Sequence, residues 1–173
     1  VSAFNLEAST LDAFSEWGTD SPRPFVILSS ENRSAVRSRF NAAHELGHVL
    51  LHRHVSQSEL NQNGCFSLIE DQAHRFASAF LLPAEGFSEA LFAPSLDAMR
   101  SIKERWRVSI AAMIMRAFDL GLIGEDQRKK LFANRARRKW ITREPLDNEL
   151  PIEKPTYLRR CIELLLARGL IGQ

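Results

Sequence analysis

Residues 44 to 48 read His44-Glu45-Leu46-Gly47-His48, and this run limits what the chain can become more than any other. Two histidines four apart share one helix face with Cβ atoms about 5–6 Å apart, so both imidazoles reach one Zn²⁺ at about 2.0–2.1 Å. Glu45, inside the same turn, is placed to take a proton from a water that the metal activates. In a chain with 5 His among 173 residues, shuffling would produce H-E-x-x-H roughly 1% of the time. The run therefore reads as a metal-binding helix of the hydrolytic kind. Asn41 is expected to cap it, with Ala43, Leu46, Gly47, Leu50 and Leu51 on its buried side.

A catalytic zinc takes a third protein ligand and keeps one position open. His54 stands where metzincins place their third histidine, but Leu51 replaces the glycine that would break the helix. A continuing helix points residue 54 about 240° around from residue 48. His52 lies on the correct face, yet one turn too far along the axis. Glu70 completes the common two-His-one-Glu set, and His74, one turn later, would stand beside a ligand imidazole. Asp71 points about 100° away from that face, and Cys65 is a thiol with the more usual fate of burial. His74, an arginine or Tyr157 are candidates for a second oxyanion donor.

The rest of the chain supplies a small sheet and many helices, an α+β pattern. Leu11, Phe14 and Trp17 predict an N-terminal amphipathic helix, and Pro22 and Pro24 lead into Phe25-Val26-Ile27-Leu28, an apolar run that suits a buried strand. After a loop through Gly64, the stripe Ile69, Ala73, Phe76, Ala77, Phe80 predicts a second helix stopped by Pro83. Beyond Pro94, Ser95 caps a helix bearing Leu96, Met99 and Ile102. Ser109 caps another bearing Ile110, Met113, Ile114 and Ala117 that ends at Gly121, so the pair resembles a helix-turn-helix. A further helix starts at Glu125 and enters the basic stretch Arg135 to Lys139. Pro145, Pro151 and Pro155 mark a linker, and Leu158, Ile162 and Leu165 a last helix closed by Gly169. The expected division is a catalytic domain over 1–93, a basic helical segment over 94–143, and a linker with terminal helix over 144–173.

Charge separates the same parts. Up to Met99 there are 6 Lys and Arg against 12 Asp and Glu, net −6; beyond it 17 against 9, net +8. A basic C-terminal part is suited to an acidic partner, protein or nucleic acid. Two distant cysteines, no apolar span and no signal-peptide pattern make a reducing cytoplasmic compartment the expectation, with no membrane partner. The chain opens on Val1, as a fragment of a longer protein would.

Arg39-Phe40-Asn41-Ala42-Ala43-His44-Glu45-Leu46-Gly47-His48-Val49-Leu50-Leu51-His52 resembles the R-F-x-x-A-H-E-L-G-H-x-L-L-H block of the ImmA/IrrE family of zinc metallopeptidases. Ile69-Glu70-Asp71-Gln72-Ala73-His74-Arg75-Phe76-Ala77, with Leu81-Leu82-Pro83, is similar to its second block, E-x-x-A-N-x-F-A-x-x-L-L-x-P. The likeness is strong over about residues 20 to 85, and Lys103, Trp106, Val108 and Ser109 resemble the segment that follows in longer members. It implies a compact zincin-like fold of the gluzincin type, one zinc on His44, His48 and Glu70, and Glu45 as the base. It also implies a regulatory protease, cleaving helix-turn-helix repressors in mobile-element induction and stress responses. His74 departs from the usual asparagine of the second block.

A rival reading makes the chain a DNA-binding regulator. In it the helix pair from Ser95 to Leu120 enters a groove, Arg100, Lys103, Arg105, Arg107 and Arg116 contact phosphates, and the zinc domain senses or scaffolds. Against it, Ile110, Met113 and Ile114 read as core, leaving few polar groups for base edges.

Overall fold

The computed structural model describes residues 12–17, 23–29, 34–60, 62, 64–154 and 156–171. Among them are two strands, β1 (Ala13–Trp17) and β2 (Pro24–Leu28), and eight helices: α1 (Ala35–Leu51), α2 (Gln57–Leu60), α3 (Cys65–Leu81), α4 (Ala84–Ala90), α5 (Leu96–Trp106), α6 (Ile110–Asp119), α7 (Glu125–Arg137) and α8 (Tyr157–Ala167). Leu11, Pro22 and Pro155, used in the reading above, lie outside the described residues.

The strand expected at Phe25 to Leu28 is present but not buried, Phe25 being exposed and Val26, Ile27 and Leu28 half-buried, and its partner corrects the first expectation. Phe14 and Trp17 belong to a strand, not a helix, with Phe14 opposite Ile27 and Trp17 opposite Pro24 in an antiparallel pair. The spacing of three between the aromatics imitates a helix. The governing period is two: Ser15 hydrogen-bonds Glu45 and Trp17 lies under the Arg53 guanidinium, so alternate residues face α1. A lone β2 would also leave its ladder groups unpaired, which β1 satisfies. Asp12 pairs with Arg37 near the start of α1, while Trp17 meets Arg53 just past its end, so β1 runs alongside α1 in the same sense.

The motif helix begins two turns before Asn41. Its N-cap is Ser34, and the apolar pattern extends back through buried Ala35 and Val36, whereas Leu50 and Leu51, expected on the buried side, are exposed in its last turn. Helix α1 packs on α3 at Gly47, where a Cβ would come within 3.1 Å of the Phe76 ring and 3.3 Å of Ala73 Cα. Small residues at 47, 73 and 77 let the two backbones approach, and that approach brings α3 side chains up to the motif. Gly47→Val is expected to lower unfolding free energy by about 1–3 kcal/mol, the cost of an overpacked contact, measured by urea denaturation; unchanged stability would contradict the close crossing. Phe80 departs from its expected place, lying exposed and stacked on Phe76 at 5.8 Å.

A large apolar cluster is centred on the C-terminal helices. Ser95 and Ser109 cap α5 and α6 as expected, accepting from Ala98 N–H and Ala112 N–H. Leu82, Phe87 and Leu91 pack with Met99, Ile110, Met113 and Ile114, so this core draws on residues from both sides of Pro94. The three residues between α5 and α6 include Arg107, at a left-handed φ of 54°.

A buried ionic network closes this core. Lys103 is fully buried, and its Nζ donates to Glu144 Oε2 at 2.9 Å and Asp147 Oδ1 at 2.6 Å. Glu144 also accepts from Ile110 N–H at 2.7 Å and Ala111 N–H at 3.1 Å, and from Arg135 Nε at 3.0 Å. One carboxylate thus satisfies the start of α6 and binds two cations.

Candidate metal centre

Helix α1 aims His44 and His48 toward α3, whose first turns carry Glu70 into the same space. The His44 and His48 Nε2 atoms are 3.0 Å apart; His44 Nε2 is 3.3 Å from Glu70 Oε2, and His48 Nε2 is 3.3 Å from Glu70 Oε1. Three donors bound to a tetrahedral ion at about 2.0 Å would stand roughly 3.3 Å from one another. The observed spacings are of that size, with the carboxylate facing the two rings through both its oxygens, and two ring nitrogens with a carboxylate form a donor set suited to zinc. The residues fit the ion.

Electrostatics point the same way. Burial, reinforced by the His74 and His48 imidazoles, lowers His44 from its ordinary value to about 4 against the opposing pull of Glu70. Burial also lowers His48. Both rings are therefore neutral at neutral pH, and a metal ligand must be a neutral imidazole.

His74 complicates the ligand set. His44, Glu70 and His74 also offer ligand atoms all within 4.8 Å of one another. His74 Nδ1 is taken up by the Glu70 backbone carbonyl at 2.8 Å, and its ring stacks edge-on to His44 with centroids 4.4 Å apart. His48 and His74 therefore both stand beside the His44–Glu70 pair, His48 at 3.3 Å from Glu70 Oε1 and His74 with its ring against His44. His54 is exposed, Asp71 lines a groove on another side of α3, and Cys65 sits at the first position of that helix.

Glu45 lies beside the triangle, buried at 8% exposure. Its Oε2 accepts from Ser15 Oγ at 2.6 Å, leaving Oε1 without a protein donor among the described residues. Sequence reasoning missed Ser15, because a single serine carries no signature until β1 is laid along α1. An open cleft runs over these groups, bounded by β1 on one side and by Val49, Leu60, Phe66 and Ile69 on another. Of the suggested oxyanion donors, His74 lines this cleft and Arg53 is the arginine that does so among the described residues; Tyr157 is exposed on α8 and does not line it.

A family model described as Peptidase_M78, IrrE N-terminal-like domain, matches residues 1–118. A search of curated proteins found no match.

Proposed function

Because the chain belongs to the IrrE N-terminal-like peptidase family, we propose that it is a zinc-dependent, site-specific endopeptidase whose substrate is a helix-turn-helix repressor or similar regulatory protein. The observation that carries the reading is the triangle of His44, His48 and Glu70 beside a base anchored by Ser15. It supports one zinc on those three residues, Glu45 as the general base, and a zincin-like catalytic unit.

A bound zinc would polarise the scissile carbonyl and acidify the attacking water. The chain's own groups do the rest. Glu45 takes the water proton at Oε1, because Oε2 is held by Ser15, and returns it to the leaving amine. Strand β1 keeps that carboxylate turned toward the cleft. Loss of one charge-assisted hydrogen bond amounts to about 1.5–3 kcal/mol. Ser15→Ala is thus expected to lower kcat about tenfold with zinc content unchanged; full activity would remove Ser15 from the site.

The basic C-terminal helices supply a docking face for an acidic partner. Lys129, Lys130, Arg137 and Lys139 are exposed there. The nucleic-acid reading has less to stand on. Lys103 is buried against Glu144 and Asp147, Arg107 pairs with Glu153, and Arg116 donates to the Leu82 carbonyl. No helix of the described residues is long and apolar enough to cross a membrane.

The test is incubation of the chain with the helix-turn-helix repressor encoded nearest to it, with and without chelator. A single cut abolished by chelator is expected. Cleavage that persists in chelator, or an intact repressor under both conditions, would contradict the proposal.

A further inference from the structure

Beyond the triangle, a second line of polar contacts runs from α1 to α3. His48 Nδ1 lies 3.0 Å from His52 Nδ1, and His52 Nε2 lies 2.9 Å from Gln72 Oε1. We infer that Gln72 and His52 form a tautomer relay that places the proton of His48 on Nδ1 and so presents its Nε2 lone pair to the metal.

The logic is one of donors and acceptors. A neutral imidazole has one nitrogen that donates and one that accepts. The Gln72 carbonyl oxygen only accepts, so the proton of His52 sits on Nε2 and its Nδ1 is left to accept. The facing nitrogen, His48 Nδ1, is then the one favoured to donate, in competition with Nε2, which faces the Glu70 Oε1 acceptor at 3.3 Å. His48 Nε2, at the other end of that ring, is left with its lone pair, 3.0 Å from His44 Nε2 and 3.3 Å from Glu70 Oε1. Reversing the Gln72 amide would reverse each step and put a proton on the nitrogen that faces the site. His44 has no such guide, since its Nδ1 is buried without a hydrogen-bond partner among the described residues. The relay therefore orients one ligand of the pair, and it does so from α3, the helix that also carries Glu70.

His52 and Gln72 are positioning residues, acting through His48. This also explains why His52 lies on the ligand face one turn beyond His48: it addresses the far side of the ring. Partners of this kind, when removed, lower metal affinity about 10–100-fold. The lower end applies here, because the Gln72 contact is exposed.

The inference rests on His48 being a ligand, and the experiment separates the two claims. Ring-nitrogen NMR on the metal-free full chain, at a pH where imidazoles are neutral, reads the tautomers directly. Chelator competition reads zinc affinity. In the wild type, His48 is expected to be protonated at Nδ1 and His52 at Nε2. Gln72→Met, which removes the acceptor from an exposed position, is expected to reduce the Nδ1-protonated fraction of His48 and weaken zinc binding about tenfold. Gln72→Glu, which can only accept, is expected to restore both. A wild-type His48 protonated at Nε2, or Gln72→Met matching the wild type in tautomer and zinc affinity, would overturn the relay. Absence of zinc uptake by the wild type would overturn the ligand reading, and the tautomers would still decide the relay.

Discussion

Glu45→Gln is expected to lower peptide hydrolysis by about 10²–10⁴-fold or more while leaving zinc content unchanged. The substitution keeps shape and volume, and an amide oxygen still accepts from Ser15 Oγ, so the side chain remains where β1 holds it. What is lost is a carboxylate that can take and return a proton, a contribution of about 10²–10⁴-fold in enzymes generally. Glu45 contributes no atom to the His44, His48, Glu70 triangle. Turnover on the repressor and metal analysis of the same preparation separate the two effects. Retained turnover would remove Glu45 from the mechanism; lost zinc would make it part of the metal's support.

The second large effect is on stability and lies far from the cleft. Lys103→Met is expected to lower unfolding free energy by about 3–5 kcal/mol, because it leaves buried carboxylates without their cation. Glu144 is 6% exposed and Asp147 partly buried, so neither recovers its full hydration. Arg135 and the first amides of α6 compensate only part of the charge on Glu144. Set against a typical total of about 5–15 kcal/mol, the loss is severe. The surface pair of Arg37 with Asp12 provides the contrast, since both side chains are about half exposed or more; Arg37→Ala should cost no more than about 1 kcal/mol. Urea unfolding of the two variants makes the comparison. Similar costs would contradict the role given to the buried network.

What could be read from the sequence follows the length of the signal. The motif helix, the helix that carries Glu70 and the caps at Ser95 and Ser109 rest on local patterns, and local patterns are visible in one dimension. Strand β1 was not, because Phe14 and Trp17 have helical spacing and the strand that pairs with them is a separate segment of the chain. The start of α1 was misplaced because Asn41 has the chemistry of a cap; the helix passes through it, and Ser34 takes the N-cap position. Lys103 looked like a surface charge among other charges, and only the return of residues 144–147 to α5 buries it. Ser15 and Gln72 acquire meaning only from a partner on another element, respectively Glu45 and His52. His52 was excluded as a ligand by its distance along the axis, and that same distance sets it behind His48.

The central claim is that His44, His48 and Glu70 hold one zinc, and His74 is the residue that makes it testable. Both candidate triads contain His44 and Glu70 and differ in the third member. Metal analysis of the purified wild type, Glu70→Ala, His48→Ala and His74→Ala is the direct measurement. The account predicts one zinc per chain in the wild type and in His74→Ala, and none in the other two. Zinc kept by His48→Ala and lost by His74→Ala would contradict it.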